Sequence, residues 1–161
     1  ISGTVLLYLF IFVFIVFFIE SVQMVNPEYK LFFFYSIIVS IASDIGGFAF
    51  GKLLKGKKLT KISPNKTISG SIGSFILSLI TIPFFVVDFN FININLFVLI
   101  TLIISLTSQL GDLLISYLKR QANVKDTGNI LPGHGGILDR IDGILFAAPM
   151  GLFLLNFVSY I

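Results

Sequence analysis

The chain has 161 residues, 56% of them hydrophobic and only 12% charged, with a formal net charge of +3. A soluble domain carries about a quarter charged residues, so the composition argues against a water-soluble enzyme and for a bilayer. Cysteine is absent, which excludes a disulfide framework and thiolate chemistry.

The chain starts at Ile1 with no basic region before its first apolar run. No signal peptide is read there, and the native N-terminus is expected to lie upstream, making the chain an N-terminally truncated fragment. Five apolar segments follow, at about 4–19, 31–50, 69–87, 96–118 and 137–161. Roughly 20 residues at about 1.5 Å each cross a 30 Å hydrocarbon core, a length that four segments meet and the first nearly does. Backbone in lipid must satisfy its own hydrogen bonds, so these are predicted helices and not strands. The expected architecture is an all-α, polytopic integral membrane protein. It is a single transmembrane catalytic domain over 1–161, with about five transmembrane helices and two cytoplasmic loops.

Lysine and arginine orient it. The 51–68 connection carries Lys52, Lys55, Lys57, Lys58, Lys61 and Lys66, and the 119–136 connection adds Lys119, Arg120 and Lys125. The 20–30 connection has only Lys30, and 88–95 has none. Both basic loops are therefore predicted to face the cytoplasm. Their lysines also suit contact with anionic headgroups.

Charged side chains at mid-bilayer cost roughly 2.5–3.5 kcal/mol on insertion scales, yet the second segment holds Asp44 and the fourth Asp112. The fifth opens with Asp139, Arg140 and Asp142. Helical rise puts Asp44 about 12 Å below the cytoplasmic edge, Asp112 about 10 Å, and Asp139 and Asp142 about 5–9 Å. Three helices distant in sequence thus bring carboxylates to one level. Each Asp taken alone could be a structural hydrogen-bonding group. Four together repel unless a cation neutralises them, and oxygen-only ligands suit a hard cation such as Mg²⁺ better than Zn²⁺. On helical spacing, Asp139 and Asp142 share a face, as do Asp112, Ser116 and Lys119. Metal-bound carboxylates beside basic residues are what phosphoryl or nucleotidyl transfer needs.

Two loop motifs border this level. Ser63-Pro64-Asn65-Lys66-Thr67 reads as an N-cap with Pro at the first helical position. It is either an ordinary capped helix start, with Gly70 and Gly73 for close packing, or an anion site at a helix N-terminus. Gly46-Gly47 could likewise serve packing alone. The second motif, Leu131-Pro132-Gly133-His134-Gly135-Gly136, surrounds a lone histidine with glycines that let backbone approach a phosphate. His134 is either structural or in contact with substrate.

The 27-residue run Ser116 to Asp142 contains Ser116, Lys119-Arg120, Lys125-Asp126, the His134 loop and Asp139-Arg140-Ile141-Asp142. It closely resembles the signature of phosphatidate cytidylyltransferases (CDP-diglyceride synthases). Asp44 to Gly70, with Ser63-Pro64-Asn65-Lys66-Thr67, resembles a second block of that family, so the likeness spans about residues 31–161. The chain departs from the pattern at Ile68-Ser69, where relatives usually have Trp-Glu, and at Lys52, where they often have Arg.

The resemblance implies an enzyme of the cytoplasmic membrane that joins CTP and phosphatidate into CDP-diacylglycerol and pyrophosphate, with its site facing the cytoplasm. It implies a homodimer, no nucleic-acid partner, a requirement for Mg²⁺ and a second, monovalent cation such as K⁺. Asp112 and Asp139, with Asp142 close by, are the implied metal ligands. Lys125, Asp126, His134 and Arg140 join them as implied catalytic residues. Asp44, Ser63, Lys66, Thr67, Ser116, Lys119, Arg120, Gly135 and Gly136 are the implied substrate contacts. Two rivals share features of the sequence, a CTP-dependent lipid kinase and a cation or proton transporter. A transporter is disfavoured because its site would lie near the midplane, often between internal repeats that this chain lacks.

Overall fold

The structure, a computed structural model, describes residues 27–60, 63, 66–124 and 141–159, together with Tyr8, Ile11, Phe14, Ile15 and Phe18. The described residues form α1 (Pro27–Leu54), α2 (Ile68–Ile80), α3 (Ile82–Phe85), α4 (Ile94–Gln121) and α5 (Ile144–Ser159). α1, α4 and the run Ile68–Phe85 are each long and apolar enough to cross a membrane, and α5 is a shorter apolar helix. The chain is an all-α, multi-pass membrane protein. The five described residues of the first segment are helical, and Phe14 and Phe18 lie against Phe33 of α1 with ring centroids 6.4 and 5.2 Å apart.

Helix ends differ from the hydropathy boundaries for local chemical reasons. α1 begins at 27 and not 31, because Pro27 suits a first helical position and Glu28 favours the first turn. It ends where Lys55 takes φ 45°, a left-handed stop of the kind that closes helices. The third apolar segment is not one helix. Pro83 has no N–H for the carbonyl of Leu79, and the chain turns at Thr81, whose Oγ1 donates to the Ser78 carbonyl at 2.7 Å. α4 starts at 94, where the Asn93 side chain accepts from the Asn95 N–H at 2.9 Å. α5 starts at 144 and not 137, so Asp142 lies with Gly143 in the turn before that helix. Residues 137–140 are outside the described residues.

The first loop corrects another expectation. Thr67, not Ser63, caps α2, its Oγ1 accepting from the Gly70 N–H at 3.1 Å. The reason is a pairing across the loop: the Leu59 N–H donates to the Lys66 carbonyl at 2.8 Å and the Ile68 N–H to the Lys57 carbonyl at 2.9 Å. These bonds hold Lys66 and Thr67 extended, so the helix starts only after them.

α1 packs against α2, α4 and α5. Glycines set its approach to α2: a Cβ on Gly46 would strike the Gly73 carbonyl, and one on Gly73 would strike the Phe50 side chain. Small residues at an interface let backbones of membrane helices approach closely. Toward the N-terminal ends of α1 and α4 the core is aromatic. Tyr35 lies between Phe85 and Phe97, each 5.0 Å away, while Phe32 meets Phe89 edge-on at 5.0 Å. Toward the other end, hydroxyls replace rings: Ser40 bonds Ser108 at 2.8 Å, Ser105 donates to Ser43 at 3.1 Å, and Ser74 donates to the Ser43 carbonyl at 2.7 Å.

Candidate active site

The hydroxyl-lined seam opens into a cavity of about 420 Å³ among α1, α2, α4 and the turn before α5. α1 supplies Asp44, α4 supplies Asp112, and the turn supplies Asp142. Asp142 is buried, with 8% of its surface exposed, and its Oδ1 accepts from the Gly143 N–H at 2.9 Å. Asp44 is exposed and Asp112 half-buried. The three carboxylates lie close enough to repel one another. Of the four aspartates that the depth arithmetic grouped, these three line one cavity, with Asp142 in a turn rather than on a helix, and Asp139 lies outside the described residues.

One cation on the described wall answers them. Lys66, held extended by the loop pairing, reaches across to Asp112 in an ion pair. Ser63 and Thr67 line the same side, so the first loop forms part of the cavity rather than a remote helix cap. Ser116 stands one turn beyond Asp112 and donates to its Oδ1 at 3.4 Å. Lys119 lies off the wall but near enough to attract Asp142. Arg120 is exposed at the end of α4 and forms no part of the wall. Lys52 lies near the cavity's Phe48, its Nζ 5.5 Å from the ring centroid. The predicted Lys125, Asp126, His134, Gly135, Gly136, Asp139 and Arg140 lie outside the described residues.

Sequence reasoning missed four polar residues of the wall, Ser43, Ser71, Ser74 and Gln109. Ser71 Oγ donates to Gln109 Oε1 at 2.5 Å, joining α2 to α4. A signal was available for Gln109, which precedes Asp112 by three positions and so shares its helix face.

Among the described residues no three carboxylate or histidine side chains are grouped tightly enough to hold a metal ion unaided. The donor set nonetheless fits a hard divalent cation. The described wall offers oxygen ligands, and three carboxylates face a single ammonium, an excess of negative charge that a cation would offset.

Fold and site together define a polytopic membrane protein with an acidic, hydroxyl-lined cavity among its helices. The profile of the Cytidylyltransferase family matches residues 2–158, and the chain belongs to that family. It is 51% identical over 119 residues to a phosphatidate cytidylyltransferase of Staphylococcus haemolyticus (strain JCSC1435), covering 72% of this chain and 45% of that protein. Over 131 residues it is 47% identical to the phosphatidate cytidylyltransferase of Bacillus subtilis (strain 168), covering 80% of this chain and 48% of the relative. The Staphylococcus aureus (strain COL) protein of the same name is 48% identical over 119 residues, 72% of this chain and 45% of its own. The chain spans about half the length of the curated relatives it matches.

Proposed function

We propose that the chain carries the catalytic centre of a phosphatidate cytidylyltransferase, which transfers CMP from CTP to phosphatidate and releases pyrophosphate, leaving CDP-diacylglycerol. The observation that carries this reading is the placement of Asp44, Asp112 and Asp142 around one cavity walled by Lys66, Ser63 and Thr67. Membership of the family supports the same chemistry.

In this reading a phosphatidate oxygen attacks the α-phosphorus of CTP and pyrophosphate leaves in line. The nucleophile is already ionised, so the protein needs no strong general base. Its task is to bring two anions together, by position and by charge. Ser63 and Thr67 offer hydroxyl oxygens on the wall, and Lys66 offers an ammonium that Asp112 holds in place. Lys119, Arg120, Lys125 and Arg140 are the proposed phosphate-binding cations at the cytoplasmic side, and Asp126, His134, Gly135 and Gly136 are further proposed site residues. Asp112, Asp139 and Asp142 would hold Mg²⁺, with a monovalent cation such as K⁺ as a second occupant. Bound there, the metal would offset charge between the two anions and polarise the phosphoryl oxygens.

The concentration of lysine and arginine in the two loops supports a site facing the cytoplasm in the cytoplasmic membrane. A homodimer is proposed on the family resemblance. The test is incorporation of label by the chain reconstituted in bilayers with phosphatidate and Mg²⁺. Label from α-³²P CTP should enter the lipid, whereas γ-³²P in the lipid would mean a kinase, and no labelled lipid from either would defeat the reading.

A further inference from the structure

Gln109 stands on the cavity wall with its carboxamide half used. Its Oε1 accepts from Ser71 Oγ at 2.5 Å, while its Nε2 is buried and has no hydrogen-bond partner among the described residues. Gln109 is the residue for which this holds there. Buried amide donors are nearly always paired, because an unpaired one has given up water without a replacement. A donor kept in that state beside a cavity points to a partner that arrives with the ligand.

The surroundings say what the partner is. The one ammonium on the described wall, Lys66, is already engaged by Asp112. An anion entering among three carboxylates needs further donors, and a carboxamide supplies N–H groups without disturbing the charge that a cation would balance. The terminal torsion of a glutamine is soft, so a small rotation presents the nitrogen once an acceptor is near. Ser71, bonded across from α2, fixes the side on which the oxygen lies and so the side on which the nitrogen faces. Taking the cavity to be the cytidylyltransferase site proposed above, we infer that Gln109 is a substrate-binding residue. Its Nε2 donates to a phosphoryl oxygen, and Ser71 positions it. Both CTP and phosphatidate carry that acceptor.

The experiment replaces the donor and keeps the shape, as Gln109→Met, in the full chain reconstituted in bilayers. Initial rates are measured against CTP at saturating phosphatidate, then against phosphatidate at saturating CTP. The expected result is a rise of roughly 10-fold or more in one KM, the size of a lost hydrogen bond to a charged group. The thermal midpoint without substrate should lie no lower than that of Ser71→Ala, since both changes remove the Ser71–Gln109 bond and only Gln109→Met also removes the unpaired donor. A rise in the CTP KM assigns the donor to the nucleotide, and a rise in the phosphatidate KM assigns it to the lipid. Unchanged KM values overturn the inference. So does a midpoint without substrate below that of Ser71→Ala, which would mean that the donor's partner is the protein itself. Ser71→Ala is the second variant, expected to raise the same KM by a smaller factor; if Gln109→Met does not fold, an unchanged KM in Ser71→Ala overturns the inference. If the unaltered chain makes no CDP-lipid, the cytidylyltransferase reading fails separately. The thermal shift on adding CTP, compared between the unaltered chain and Gln109→Met, then decides whether the carboxamide binds a phosphate.

Discussion

The two ends of the bundle are built from opposite materials. Phe32, Tyr35, Phe89 and Phe97 have at most 1% of their surface exposed. Their rings meet edge-on, tilted or stacked, and the hydroxyl of Tyr35 is matched by Thr101 at 2.6 Å. At the other end Asp44, Asp112 and Lys66 keep access to a cavity, and three carboxylates repel one another. α1 and α4 run through both ends, so each helix is anchored by rings in one half and carries charge in the other. The difference teaches how a membrane helix can hold a carboxylate: aromatic packing supplies stability at a distance, and the site is left free to be unfavourable until ligands arrive.

That contrast predicts a separation of effects, and the largest should come from the acidic end. Asp112→Asn removes one carboxylate from the cavity with little change in shape. Turnover should fall by about 10³-fold or more, the scale of losing one preorganised charge-stabilising group. The thermal midpoint should move little, since the change relieves repulsion with Asp44 and Asp142 while weakening the Lys66 pair. Rates of CDP-lipid formation and unfolding of the same preparation measure both. Phe89→Ala makes the opposite demand. Phe89 is fully buried against Phe32, Tyr35 and Phe97, and its loss should cost about 3–5 kcal/mol of stability. The KM for CTP should stay constant in the protein that remains folded. A large KM change in Phe89→Ala would mean that the two ends are not independent.

Gly73→Ala tests the helix approach beside the cavity. The new methyl would meet Phe50 and the Gly46 carbonyl, forcing α1 and α2 apart. Overpacking of this kind costs about 1–3 kcal/mol. Because the same two helices form cavity walls, activity should fall as well, unlike in Phe89→Ala. Thr67→Ala is smaller and more local. It removes the cap of α2 and should cost about 1 kcal/mol, read as a shift in unfolding midpoint.

Much of this division was legible in the chain itself. Apolar runs near membrane length read as helices because backbone in lipid has no other partner. Asp44, Asp112 and Asp142 could be brought to one level because helical rise converts sequence position into depth. What local pattern could not show was pairing across a loop. Ser63-Pro64 has the form of a helix start, and it lost to the bonds joining Leu59 with Lys66 and Ile68 with Lys57, which no local spacing encodes. The turn at Asp142 was read as helix for a similar reason, since hydropathy does not register a break inside an apolar run. Ser36, Ser40 and Ser43 on α1, with Thr101, Ser105 and Ser108 on α4, recur at spacings of four and three, the mark of a single helix face. They went unread because a hydroxyl barely alters the hydropathy of a run, and periodicity does not say which neighbour a face will meet.

Those hydroxyls yield the smallest expected effect and the sharpest question about the seam. Ser40 and Ser108 bond each other at 2.8 Å with both side chains fully buried, which in hydrocarbon would be expected to be strong. Each nevertheless has an alternative within its own helix, the carbonyl four residues earlier. Ser36 already uses this at Phe32 and Thr101 at Phe97, with bonds of 2.9 and 2.8 Å. Ser40→Ala should therefore cost only about 0.6 kcal/mol, the average for hydrogen bonds between membrane helices. The coupling in a cycle with Ser108→Ala should be no larger. A coupling near 2 kcal/mol would show that the two hydroxyls cannot retreat to their own helices. The polar half of the bundle would then be held by its own network rather than by the rings at the far end.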